Sequence, residues 1–218
     1  MRRAFPLVFL VTAAMFAAAP YLIATAPYES TMGLVQKIFY FHVPAWFAMF
    51  TGVFVCGIYS AIFLFRSDQR ADRIASSAAE IAVLFGLMGL ITGPLWARKA
   101  WGVWWEWDVK LTLALVVWLT FVAYLLLRRY GGAGSEKLAA GVGIFGAANI
   151  PFVYYSVNWW RTMHPKTTVV PTLREGMRGT FWFCVLAFML LMVLIVAARV
   201  RLERQRALVD DLFLELED

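Results

Sequence analysis

The sequence predicts an all-α, polytopic membrane protein with six transmembrane helices. Three observations predict it. The 218 residues are 62% hydrophobic and only 16% charged, too apolar for an ordinary soluble fold. The apolar residues gather into six stretches, each near the length of about 20 residues that a helix needs to cross a hydrocarbon core. Several are apolar on every side with no period-two alternation, which suits helices and not barrel strands.

The first stretch, about Phe5–Thr25, follows Arg2 and Arg3 and carries A-x-A-like sites ending at Ala19 and Ala26. Pro20 and Pro27 follow those sites and suit signal peptidase badly, so this segment is expected to remain as a helix. The second, about Val43–Phe65, is entered through "STMGLVQKIFYFHVP", where Leu34, Val35, Ile38, Phe39 and His42 share one helical face and Pro44 sits near the first turn. The third, about Ala78–Leu95, contains "GLITG", a small-xxx-small pattern suited to close helix packing. The fourth and fifth, about Leu111–Leu127 and Leu138–Val157, are joined by the glycine-rich turn "YGGAGSEK", and Asn149 with Pro151 marks an expected kink. The sixth, about Thr180–Ala198, leads into a tail at 199–218. There Leu202, Val209, Leu212, Phe213 and Leu216 fall near helical spacing, as either a docking helix or a solvated extension. Residues 1–218 thus read as one six-helix membrane domain.

Orientation follows from the placement of Lys and Arg in the loops. Twelve of the twenty cations cluster on the side holding both termini and eight on the other. Both termini are therefore expected in the cytoplasm, with outer loops at about 26–42, 96–110 and 158–179. Cys56 and Cys184 fall inside helices and form no C-x-x-C, so they read as packing residues. With no G-x-x-x-x-G-K-[ST] in the sequence, no P-loop ATPase site is expected.

The outer loops carry the chemistry. Seven of ten tryptophans fall in or beside two of them: Trp96, Trp101, Trp104, Trp105, Trp107, Trp159 and Trp160. An interfacial aromatic belt would place tryptophan at both faces, yet the cytoplasmic loops have none. In "WGVWWEWD", Trp101, Trp104, Trp105 and Asp108 stand at i, i+3, i+4 and i+7. That spacing predicts a short interfacial helix with an indole shelf, serving either a ligand or the bilayer. The two histidines, His42 and His164, both belong to the outer side. Two imidazoles, an indole shelf and outward cations (Lys37, Arg98, Lys99, Lys110, Arg161, Lys166) suit haem, whose iron takes axial histidines and whose propionates need positive partners. A quinone would use the shelf but not the histidines.

These stretches, "KIFYFHVPAW", "WGVWWEWDVKLT" and "NIPFVYYSVNWWRTMHP", resemble the tryptophan-rich WWD haem-handling superfamily, and within it the cytochrome c maturation protein C (haem exporter protein C) family. The resemblance covers most of the chain. It implies haem b bound at the periplasmic face of a bacterial inner membrane, with His42 and His164 as axial ligands of the iron. It also implies that Trp101, Gly102, Trp104, Trp105, Trp107 and Asp108 hold the porphyrin, with Trp159, Trp160 and Arg161 beside His164. The implied partners are a periplasmic haem chaperone, the ATP-binding-cassette ATPase and membrane subunits of a maturation complex, and a small single-span membrane protein. No nucleic acid is expected. Where such proteins often carry arginine, five residues before the first histidine and two after the signature aspartate, this chain has Lys37 and Lys110. That keeps charge without the bidentate fork. Two rival classes make different demands. A small-molecule transporter gated by the tryptophan loop would need polar residues at mid-membrane. An electron-transfer subunit with haem inside the bundle would need histidines within the helices.

Overall fold

In the computed structural model, which describes residues 4–217, six helices follow one another along the chain. They are α1 (Phe5–Thr25), α2 (Phe39–Arg66), α3 (Gln69–Trp101), α4 (Val109–Tyr130), α5 (Ser135–Trp159) and α6 (Glu175–Glu217), with a 3-10 turn at Leu34–Ile38 leading into α2. Each contains a segment long and apolar enough to cross a membrane, and no strand occurs among the described residues. Arg2 and Arg3, counted in the charge asymmetry, and Asp218 of the tail lie outside the described residues.

Two helices outrun their apolar stretches, and polar contacts explain both. α3 begins at Gln69 because the Asp68 carboxylate accepts from the Arg70 amide at 2.8 Å and caps the helix. Its first turns then bury Ala71 and Ala75, while Asp72 accepts both guanidinium arms of Arg128 at 2.6 and 2.7 Å. α6 continues past Ala198 as a charged helix. Arg199 meets Glu80 of α3 at 2.5 Å and Glu203 one turn on at 2.9 Å. The tail is helical, with Leu208, Leu212, Phe213 and Leu216 exposed.

The bundle is organised around an antiparallel ladder between α2 and α3. Successive turns of α2 present His42, Trp46, Met49 and Gly52 to Gly93, Gly89, Gly86 and Ala82 of α3. A Cβ at Gly93 would stand 3.2 Å from the His42 ring, one at Gly89 2.5 Å from the Trp46 indole, and one at Gly86 3.3 Å from Met49 Cγ. A Cβ at Gly52 would lie 3.1 Å from Ala82 Cβ. The small-xxx-small pattern therefore does more than bring two backbones together: its glycines receive the rings of Trp46 and His42. Elsewhere Gly57 of α2 faces Ala147 of α5, and Gly146 of α5 receives the ring of Phe121 from α4. Cys56 and Cys184 are buried packing residues.

A Cβ at Gly146 would approach Phe121 Cε2 to 2.5 Å, and Phe121 is fully buried, so the ring has nowhere to retreat. Gly146→Val should lower stability by about 1–3 kcal/mol, measured by unfolding of the purified protein in detergent. Gly141→Ala, where nothing stands within 4 Å, should leave stability unchanged or slightly raised. Equal effects of the two substitutions would contradict this packing.

Candidate functional site

At one end of the bundle the α2–α3 ladder opens into an aromatic cleft. Its empty space is about 1370 Å³, counting the open mouth. α2 contributes Phe39, His42 and Trp46, and α3 contributes Gly93, Trp96 and Trp101. The link between α3 and α4 adds Trp104 and Trp105. Lys110 enters from the first turn of α4, and the link after α5 adds His164 and Lys166. Both histidines of the chain thus line one cavity.

His42 sits in the first turn of α2 and is buried. Its ring stands edge-on to Trp96 at 5.6 Å and to Trp46 at 6.3 Å, and its Nδ1 lies 2.9 Å from the Thr92 hydroxyl. His164 is partly buried in the link between α5 and α6. Its backbone amide donates to the Thr162 hydroxyl at 3.0 Å, and its Nδ1 donates to the Pro165 carbonyl at 3.1 Å. Burial, and after it the nearby Lys110 ammonium, push the His164 pKa down to about 4. The imidazole is therefore neutral at physiological pH, as a nitrogen donor to a metal must be.

The 101–108 stretch departs from the expected helix. Trp101 closes α3, Gly102 takes a left-handed φ of 80°, and the chain runs without helix until Asp108 caps α4. The reason lies in the two ends. Gly102 gives the conformation that ends helices, and Asp108 accepts from the Leu111 amide at 2.7 Å, as an N-cap does. Trp101, Trp104 and Trp105 still reach one cleft, but as the end of a helix and two positions of an open link. Arg98 braces that link by donating to the Gly102 carbonyl, and its guanidinium lies 6.0 Å from the Trp104 ring centroid. Trp107 is exposed and stands edge-on to Trp105 at 5.6 Å.

Asp108 has a second role. Its other carboxylate oxygen accepts from the Thr162 hydroxyl, the same hydroxyl that receives the His164 amide. The signature link and the His164 link are therefore tied at one carboxylate. The cations divide. Lys110 and Lys166 line the cleft, and Lys110 donates to the Val153 carbonyl of α5 at 2.8 Å. Lys37 is placed elsewhere: its ammonium donates to the Ile23 carbonyl at 2.6 Å and to that of Ala26, satisfying the C-terminal end of α1. Arg161 is exposed and not among the lining residues. Trp159 and Trp160 are half-exposed at the end of α5, with Trp159 stacked on Tyr155 at 6.0 Å.

Two residues carry no local sequence signal: Trp46, which lines the cleft, and Thr92, which stands beside His42; the α2–α3 ladder places both. The indole N–H groups of Trp96 and Trp105, two residues of the cleft wall, are buried and have no partner among the described residues.

The chain matches the profile of the family described as Heme exporter protein C over residues 1–212. It is 34% identical over 208 residues to the Heme exporter protein C of Bradyrhizobium diazoefficiens, covering 92% of this chain and 79% of that protein. It is 30% identical over 208 residues to the protein of the same name from Escherichia coli K12, covering 87% and 81%. A ccmC-like mitochondrial protein of Marchantia polymorpha, named for cytochrome c biosynthesis, is 32% identical over 145 residues, covering 66% and 61%.

Asp108→Ala removes an N-cap worth about 1 kcal/mol and frees Thr162. The variant should unfold at lower temperature and be cleaved faster by protease within residues 160–174. Asp108→Asn, itself a good cap, should recover most of the thermal loss. Unchanged melting and cleavage in Asp108→Ala would contradict the tie.

Proposed function

The chain belongs to the Heme exporter protein C family, and we propose that it holds haem b in the His42–His164 cleft and passes it on during cytochrome c maturation. One observation carries this reading: the chain's two histidines line the same aromatic cavity. In this reading the protein is a carrier within a maturation complex and not a self-sufficient catalyst.

The residues fit such a ligand. When bound, haem supplies an iron that takes axial imidazole nitrogens. His42 and His164 each have Nδ1 engaged by the protein, which leaves Nε2 for a metal. Trp101, Trp104 and Trp105 offer flat apolar walls. Lys110 and Lys166 are the groups suited to propionates. With no C-x-x-C-H and both cysteines buried within helices, the chain has no thiols placed to attach the porphyrin covalently, which favours haem b.

The charge asymmetry supports a site on the periplasmic side of a bacterial inner membrane, with both termini inside. Exposed Trp104, Trp107, Trp159 and Trp160 then surround the site with aromatic surface for a periplasmic haem chaperone. The family name implies further exporter subunits. An ATP-binding-cassette ATPase with its membrane subunit, and a small single-span protein, are the partners proposed here.

Absorption spectroscopy of the haem-loaded protein in detergent tests the reading. The wild type should show six-coordinate low-spin iron. His42→Ala and His164→Ala should each give five-coordinate iron or lose haem, and the double variant should retain none. Spectra unchanged in both single variants would overturn the ligand assignment.

A second test concerns the walls. Each indole stacked on a porphyrin adds about 0.5–1.5 kcal/mol beyond area burial. Trp101→Ala, Trp104→Ala and Trp105→Ala should therefore each weaken haem retention about two- to tenfold, with membrane insertion intact. Wild-type retention in all three would leave the tryptophans as an interfacial anchor.

A further inference from the structure

Resting on the reading of His42 as a ligand, we propose that Thr92 is a positioning residue: it fixes His42 as the Nδ1–H tautomer and so presents a bare Nε2 to the cleft. The argument starts with a single proton. A threonine hydroxyl has one proton to donate and two lone pairs to accept with. In Thr92 that proton is committed along the helix to the Met88 carbonyl at 2.7 Å. Towards His42, at 2.9 Å, the same oxygen can then only accept. The imidazole must supply the proton from Nδ1, which leaves Nε2 unprotonated and without a partner among the described residues.

The surrounding residues make this a built seat. Gly93, next along α3, leaves room for the ring edge: a Cβ there would lie 3.2 Å from His42 Cε1 and 3.9 Å from Nδ1. Trp46 and Trp96 stand edge-on to the ring, so it cannot swing without displacing an indole. A donated Nδ1–H also makes Nε2 a stronger base, as partners of metal-bound histidine do.

His164 provides an internal control. Its Nδ1 faces the Pro165 carbonyl at 3.1 Å, and a carbonyl can only accept, so the same tautomer is set by backbone. No side-chain substitution at Thr92 removes that bond. The two imidazoles therefore reach one state by different means, and only one of the means depends on Thr92.

The test is nitrogen NMR of the haem-free protein labelled with 15N in histidine alone, where two imidazoles give two sets of signals. In the wild type both should report a protonated Nδ1 and a bare Nε2. Thr92→Val, nearly the same shape without the hydroxyl, should move one set to a mixture of tautomers and leave the other unchanged. The unchanged His164 set also shows that the variant is folded. Thr92→Ser should restore the wild-type spectrum. On haem loading, Thr92→Val should weaken retention about tenfold, the lower end of the effect of such partners. A protonated Nε2 on His42 in the wild type would overturn the proposal, as would a Thr92→Val spectrum identical to it, even if His42→Ala still removed the haem. The reverse pattern separates the two claims. A tautomer shift in Thr92→Val, with a haem spectrum indifferent to His42→Ala, would sustain the seat and overturn the ligand reading.

Discussion

The close approach of α2 and α3 is the constraint on which the cleft depends. Gly52 meets Ala82 with little room for even a methyl group between them, and the same ladder carries Met49 to Gly86, Trp46 to Gly89 and His42 to Gly93. Association inside a membrane gains little from the hydrophobic effect, because lipid is as apolar as leucine. Small residues that let helices touch must do that work. In this chain the ladder passes from glycine against methyl, at Gly52 and Ala82, to glycine against ring, at Gly89 and Gly93. The change from methyl to ring brings Trp46 and His42 into one wall of a cavity.

The other wall comes from two links that have no regular structure to hold them. Asp108 holds both. One oxygen caps α4 and fixes where the tryptophan link ends, and the other holds Thr162, whose hydroxyl in turn receives the His164 amide. Link backbone carries polar groups that a helix would satisfy internally. At this membrane end, Asp108 on the Leu111 amide and Arg98 on the Gly102 carbonyl satisfy part of that demand. The rigid histidine is thus placed by helix packing and the other by a hydrogen-bonded loop.

Much of this was legible from the residues because membrane solvation leaves a coarse signature. The six apolar stretches and their link positions follow directly from the cost of unpaired backbone in lipid. The structure departs from the sequence pattern where helical spacing meets a stronger local rule. Trp101, Trp104, Trp105 and Asp108 have the period of a helix, yet Gly102 stops one and Asp108 starts another. Both terminators stand in the sequence, and in the folded chain they override the periodicity. Lys37 illustrates a different limit. Its charge was plain, but the end of α1 claims it through carbonyls fourteen and eleven residues away. Thr92 and Trp46 were invisible in principle: each is an ordinary helix residue until α2 and α3 are laid side by side.

The central claim is that His42 and His164 bind one iron from the two walls of this cleft. Pulsed electron paramagnetic resonance of the ferric, haem-loaded protein, labelled with 15N in histidine alone, measures it most directly. With two histidines in the chain, the iron should couple to two labelled imidazole nitrogens, one from each residue. Coupling to one labelled nitrogen, or to none, would contradict the account.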